Sequence, residues 1–107
     1  MAVSDEEIEH VLDLFAGLGP LTTRKMFGGL AIYRDGTIFA LLMSDGRTLI
    51  KGQGEMQDRF DAMGLERWTY ARPGKSPTAM PYWHLPDSAL DDADEATELA
   101  RAALAHL

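Results

Sequence analysis

TRKMFGGLAIYRDGTIFALLM, residues Thr23 to Met43, is the stretch whose reading decides the fold. From Arg24 to Arg34 it is rich in residues that suit a strand, Asp35-Gly36 signals a tight turn, and Thr37 to Met43 reads as the hairpin partner. Asp45-Gly46 repeats the turn signal, and Arg47 to Lys51 makes a third strand. The expectation is a meander of three antiparallel strands. Upstream, Ser4-Asp5-Glu6-Glu7 is a capping box with acids on the positive end of the helix dipole. Ile8, Val11, Leu12 and Phe15 follow at helical spacing, and Gly17, Gly19 and Pro20 end that helix.

Downstream, Gly52-Gln53-Gly54 breaks the extended pattern, and Met56, Phe60 and Met63 predict a short helix that stops at Gly64. A second hairpin follows, from Glu66 to Arg72 and from Thr78 to Leu85, turning at Pro73-Gly74-Lys75. Trp68 and Tyr70 share a face; Met80, Tyr82 and His84 share another, opposite Ala79, Trp83 and Leu85. Pro81 cannot donate to a ladder, so part of its strand should lie at an edge or a bulge. Pro86-Asp87-Ser88 opens a last helix with Ala93, Ala96, Leu99, Ala100, Ala103 and Leu107 as its apolar stripe. The expected class is α+β: a two-layer αβββαββα arrangement on a five-stranded, mainly antiparallel sheet, forming one domain over residues 1–107.

The 107 residues are 46% hydrophobic and 25% charged, with ten Gly and five Pro, which is a globular composition of single-domain size. No Cys is present, so disulfides, thiolate metal sites and cysteine nucleophiles are excluded. No apolar run approaches a membrane span and the N-terminus is acidic, so the expected address is the cytoplasm. The net charge is -7 and unevenly placed. Residues 1–23 hold five acids and no base, residues 24–75 nine bases against six acids, and residues 76–107 six acids against Arg101. A duplex-binding protein draws its affinity from phosphate neutralisation, so neither nucleic acid nor an anionic membrane is expected as a partner. The central segment still allows a local basic patch.

A sheet with helices on one face and water on the other should alternate apolar and polar residues. The first hairpin does not: Met26, Leu30 and Ile32 read onto one face with Phe27, Ala31 and Tyr33 on the other, and Ile38, Ala40 and Leu42 oppose Phe39, Leu41 and Met43. Three short helices cover one sheet face. The second face is therefore covered by another copy or a partner, or else buried by flanking helices or strand twist. The first alternative makes the chain a docking module.

Individual sites are sparser. Phe27-Gly28-Gly29-Leu30, preceded by Arg24 and Lys25, could cradle an anion, but it lacks phosphate-loop spacing and opens no helix, so a bulge is the favoured reading. His10, His84 and His106 have no ligand spacing, and no cofactor or metal is expected. Asp91, Asp92, Asp94, Glu95 and Glu98 read as a solvated helix face. Trp68, Tyr70, Tyr82 and Trp83 could stack on a planar ligand, although cross-strand packing explains them as well. No nucleophile, base and orienter assemble from spacing, so no catalytic residue is expected.

The run Thr23 to Tyr33, with its R-x-M-F-G-G core, the Gly36-Thr37-Ile38-Phe39-Ala40 hairpin and Met80-Pro81-Tyr82-Trp83 before Leu85-Pro86 resemble the N-terminal domain of the TfoX (Sxy) family over nearly the whole chain. The resemblance implies a bacterial, cytoplasmic protein with a fold like that of type III secretion chaperones, and a role in regulating competence genes. Full-length members act with the cyclic-AMP receptor protein and carry a C-terminal helical domain that residues 1–107 do not contain. No catalytic residue carries over; Arg24, Met26, Phe27, Gly28, Gly29, Tyr82 and Trp83 match the recurring motif. The expected partner is a protein such as a transcription factor, or a second copy in a homodimer, with Lys25 added to the candidate contacts. The alternative is a sensor domain binding an anionic or planar metabolite near Arg24, Lys25, Gly28 and Gly29.

Overall fold

Ser4 starts the first helix as read: its hydroxyl accepts from the Glu7 amide at 3.2 Å and the Glu7 carboxylate accepts from the Ser4 amide at 3.1 Å. Such a cap contributes about 1 kcal/mol. The computed structural model describes residues 3–26, 28–71 and 73–107. Along them run α1 (Asp5–Leu14), β1 (Thr22–Met26), β2 (Gly29–Arg34), β3 (Thr37–Leu42), β4 (Thr48–Lys51), α2 (Glu55–Ala62), β5 (Arg67–Tyr70), β6 (Thr78–His84) and α3 (Ala93–Leu104). The strands form one antiparallel sheet in the order β1-β2-β3-β4-β6-β5.

Six strands stand where five were expected. The predicted strand from Arg24 to Arg34 is two strands that reverse on each other, with Met26 facing Gly29 and Arg24 facing Ala31. Gly28 sits in the reversal at φ +76°, a conformation that glycine adopts without penalty. Gly29 then runs against β3 so closely that a Cβ there would lie 2.3 Å from the Leu42 carbonyl oxygen. The glycine pair is thus a hairpin turn and a backbone contact, not a bulge. The bulge lies one hairpin later. Ile32 faces Ala40 but Tyr33 faces Ile38, which leaves Phe39 as the extra residue. Phe39 and Ala40 both join the helix-side core, and Ile38 moves to the face of Tyr33 and Leu41.

The second hairpin keeps its predicted faces. Its register slips between Arg67 and Thr69, which pair with Trp83 and Ala79, so Met80, Pro81 and Tyr82 bulge opposite Trp68. The missing donor of Pro81 falls in that bulge. The last helix starts later than expected: residues 87–91 make a 3-10 turn, and Asp92 caps α3 by accepting from the Asp94 and Glu95 amides.

All three helices pack on one side of the sheet. Val11, Leu14, Phe15, Met56, Phe60, Leu99, Ala100 and Ala103 close over Leu30, Ile32, Phe39, Leu42, Ile50 and Trp83. Phe15 meets Phe39 edge to face at 5.2 Å, and the Thr97 hydroxyl donates to the Leu14 carbonyl at 2.9 Å, tying α3 to α1. No helix among the described residues is long and apolar enough to cross a membrane.

Candidate functional site

Strand alternation sends the other half of the sheet residues to the face away from the helices. Ala31, Leu41, Leu49 and Tyr82 form a second, smaller cluster there, ringed by Met26, Tyr33, Ile38, Met43, Trp68 and Met80. None of these belongs to a helix. The four central residues are buried by neighbouring strand side chains, while the ring around them stays partly open. Trp68 stands between Tyr82, at 6.2 Å between ring centroids, and Tyr70, at 6.4 Å, both edge to face. Burial pushes the Tyr82 phenol above its ordinary pKa, and the neighbouring Tyr33 phenol acts in the same direction. Tyr82 is therefore neutral at physiological pH.

The result is a groove of about 890 Å³ across the outer face, lined by Met26, Gly29, Leu41, Met43, Trp68, Tyr70, Met80 and Tyr82, with Lys75, Ser76 and Thr78 on the strand-turn side. Lys75 is the only charged residue among the described ones that line it. Arg24, opposite Ala31, and Lys51, opposite Tyr82, add positive charge on the same face. Among the described residues no three His, Asp or Glu side chains gather as a metal site. His10 contacts the Leu90 carbonyl at 2.8 Å, and His84 lies 3.9 Å from Glu66.

The chain thus has an αββββαββα order on one antiparallel sheet, with a glycine pair at residues 28–29 between its first two strands and an apolar outer face. The family model of the TfoX N-terminal domain matches residues 13–107. This chain belongs to the TfoX N-terminal domain family. It is similar to the DNA transformation protein TfoX1 of Aliivibrio fischeri, with 30% identity over 76 residues. That alignment covers 67% of this chain and 36% of the relative, so the chain corresponds to about a third of the relative's length.

The TfoX-type motif residues divide between the two sheet faces. Arg24 faces outward with Ala31, whereas Lys25 pairs with Leu30, a residue of the helix-side core. The two cations therefore point to opposite sides of an edge strand and do not converge on one anion. Met26 and Gly29 line the groove, and Gly28 makes the turn beside it. Phe27 lies outside the described residues. Tyr82 forms the groove floor at 8% exposure, but Trp83 faces the helices at 0%. There the Trp83 indole N–H donates to Asp61 Oδ1 at 2.9 Å, Phe60 lies 5.6 Å away, and the Arg67 guanidinium stacks 4.6 Å from the ring centroid. Trp83 is thus a core anchor.

Met43, Lys75 and Met80 line the groove but were not among the candidate contacts, and Trp68 was named only as part of a possible stacking platform. For Trp68 and Met80 the signal was the shared face read along each strand. Met43 was read onto the face of Leu41, where it lies, but Lys75 could be placed only by knowing how the second hairpin folds over the sheet.

Proposed function

We propose that this chain is a non-catalytic regulatory domain that docks a protein partner through the outer face of its sheet, in a competence-related role. The observation that carries this reading is the apolar cluster around Leu41, Leu49 and Tyr82, against which no helix among the described residues packs. A sheet buries its apolar faces against other layers, and here one face has its layer and the other does not. Methionine and aromatic side chains, which adapt their shape or present large rigid area, dominate the open ring, as at protein-binding surfaces. Membership of the TfoX N-terminal domain family, and the name of the relative TfoX1, supply the competence context.

The test is genetic. Met43 is half-buried at the groove edge, where a carboxylate reaches water but spoils an apolar contact. In the organism of origin, Met43→Glu should lower transcripts of DNA-uptake genes to about the level of a deletion strain, with the protein still folded and abundant. Wild-type transcript levels in that variant would contradict the reading.

A further inference from the structure

The charge around the groove specifies its occupant further, and this step rests on the docking reading above. The helices, on the other side of the sheet, carry 11 of the 17 acids: five in α1, three in α2 and three in α3. On the outer face the balance reverses. Arg24 and Lys75 are exposed there and Lys51 is half-buried, while no Asp or Glu lines the groove among the described residues. The ion pairs among the described residues are Arg47 with Asp45 and His84 with Glu66, so Arg24, Lys51 and Lys75 make none there.

We infer that the groove takes an amphipathic helix whose bulky apolar stripe is flanked by acidic residues. A helix laid on this face repeats the layer already present on the other, and apolar grooves receive such helices through residues spaced i, i+3, i+4 and i+7. Acids on the flanks meet Arg24, Lys51 and Lys75, which selects the partner and its orientation. An extended peptide is less suited, because the groove crosses the middle of the sheet and offers side chains where strand addition needs a free edge. A single-stranded nucleic acid would find aromatic rings and the same three cations, but three charges spread around a methionine-rich groove, on a chain of net charge -7, are too few to track a phosphate chain.

The experiment is selection of the full chain against a displayed library of 18-residue amphipathic helices. Their apolar stripes vary, and half of the library has Glu flanks and half Lys flanks. Glu-flanked members should be enriched at least tenfold over Lys-flanked ones, lose binding to Trp68→Ala, and weaken as salt rises. The double variant Arg24→Glu with Lys75→Glu, at two exposed positions, should reverse the preference. Equal enrichment, or enrichment of Lys-flanked members, overturns the acidic-partner inference while leaving groove docking intact if Trp68→Ala abolishes it. Enrichment of neither class, or binding of an oligothymidylate probe in its place, overturns the inference and removes the in vitro support for a protein-docking groove.

Discussion

Trp83→Ala should leave the protein barely folded, with a loss of about 3–5 kcal/mol, the range for removing a large aromatic side chain from a core. A domain of this size has only about 5–15 kcal/mol in total. Trp83 is fully buried, packs on Phe60, carries the Arg67 guanidinium on its face and donates to Asp61. Alanine removes the ring and leaves a cavity beside Phe60, which carries the loss, since Asp61 is exposed to water and Arg67 still donates to the Met80 carbonyl. Thermal unfolding followed by far-UV circular dichroism should show a fall in Tm of about 15 °C or more. Trp68→Ala, on the open face, should cost about 2 kcal/mol, below the range for a core aromatic, since it loses two edge-to-face contacts from a side chain that is only partly buried. Equal losses in the two variants would mean that the outer cluster is as essential to folding as the helix-side core.

Gly29→Ala should destabilise by about 3 kcal/mol, the upper part of the overpacking range. The added methyl meets the Leu42 carbonyl oxygen at 2.3 Å, and a backbone atom cannot rotate aside as a side chain would. Relief requires β2 and β3 to part at the Leu30–Leu42 pair, in the middle of the sheet. Gly28→Ala, at φ +76°, should cost only the left-handed penalty of about 1–2 kcal/mol. Urea denaturation of both variants decides the order. If Gly28→Ala is the more damaging, the close approach of Gly29 to β3 is not what makes glycine necessary there.

The sequence reveals most where a local chemical pattern admits one geometry. The Ser4–Glu7 capping box and the Asp35-Gly36 turn are of this kind, and both appear as read. The faces of β6 were equally legible, because strand alternation alone separates Met80 and Tyr82 from Trp83 and Leu85. The hairpin between Met26 and Gly29 was not. Its flanks are continuous strand formers, and its turn lacks the Asp-Gly or Asn-Gly signature that marks the other two. The bulge at Phe39 was hidden for a different reason: residues 38–43 are apolar on both faces, so a shift of one residue changes no polarity pattern. That same two-sided apolarity revealed the outer face. Whether it was covered could be learned only from where the helices settle, and they settle together on the opposite side.

Photo-crosslinking inside the cell tests the uncovered face most directly. With a benzophenone amino acid at Met43, beside the groove, a discrete adduct with another protein should form and should disappear when Trp68→Ala is added. The same group at Glu98, on the exposed side of α3, should give none. An identical adduct from both positions, or none from Met43 in a folded protein, would mean that this sheet face meets water alone.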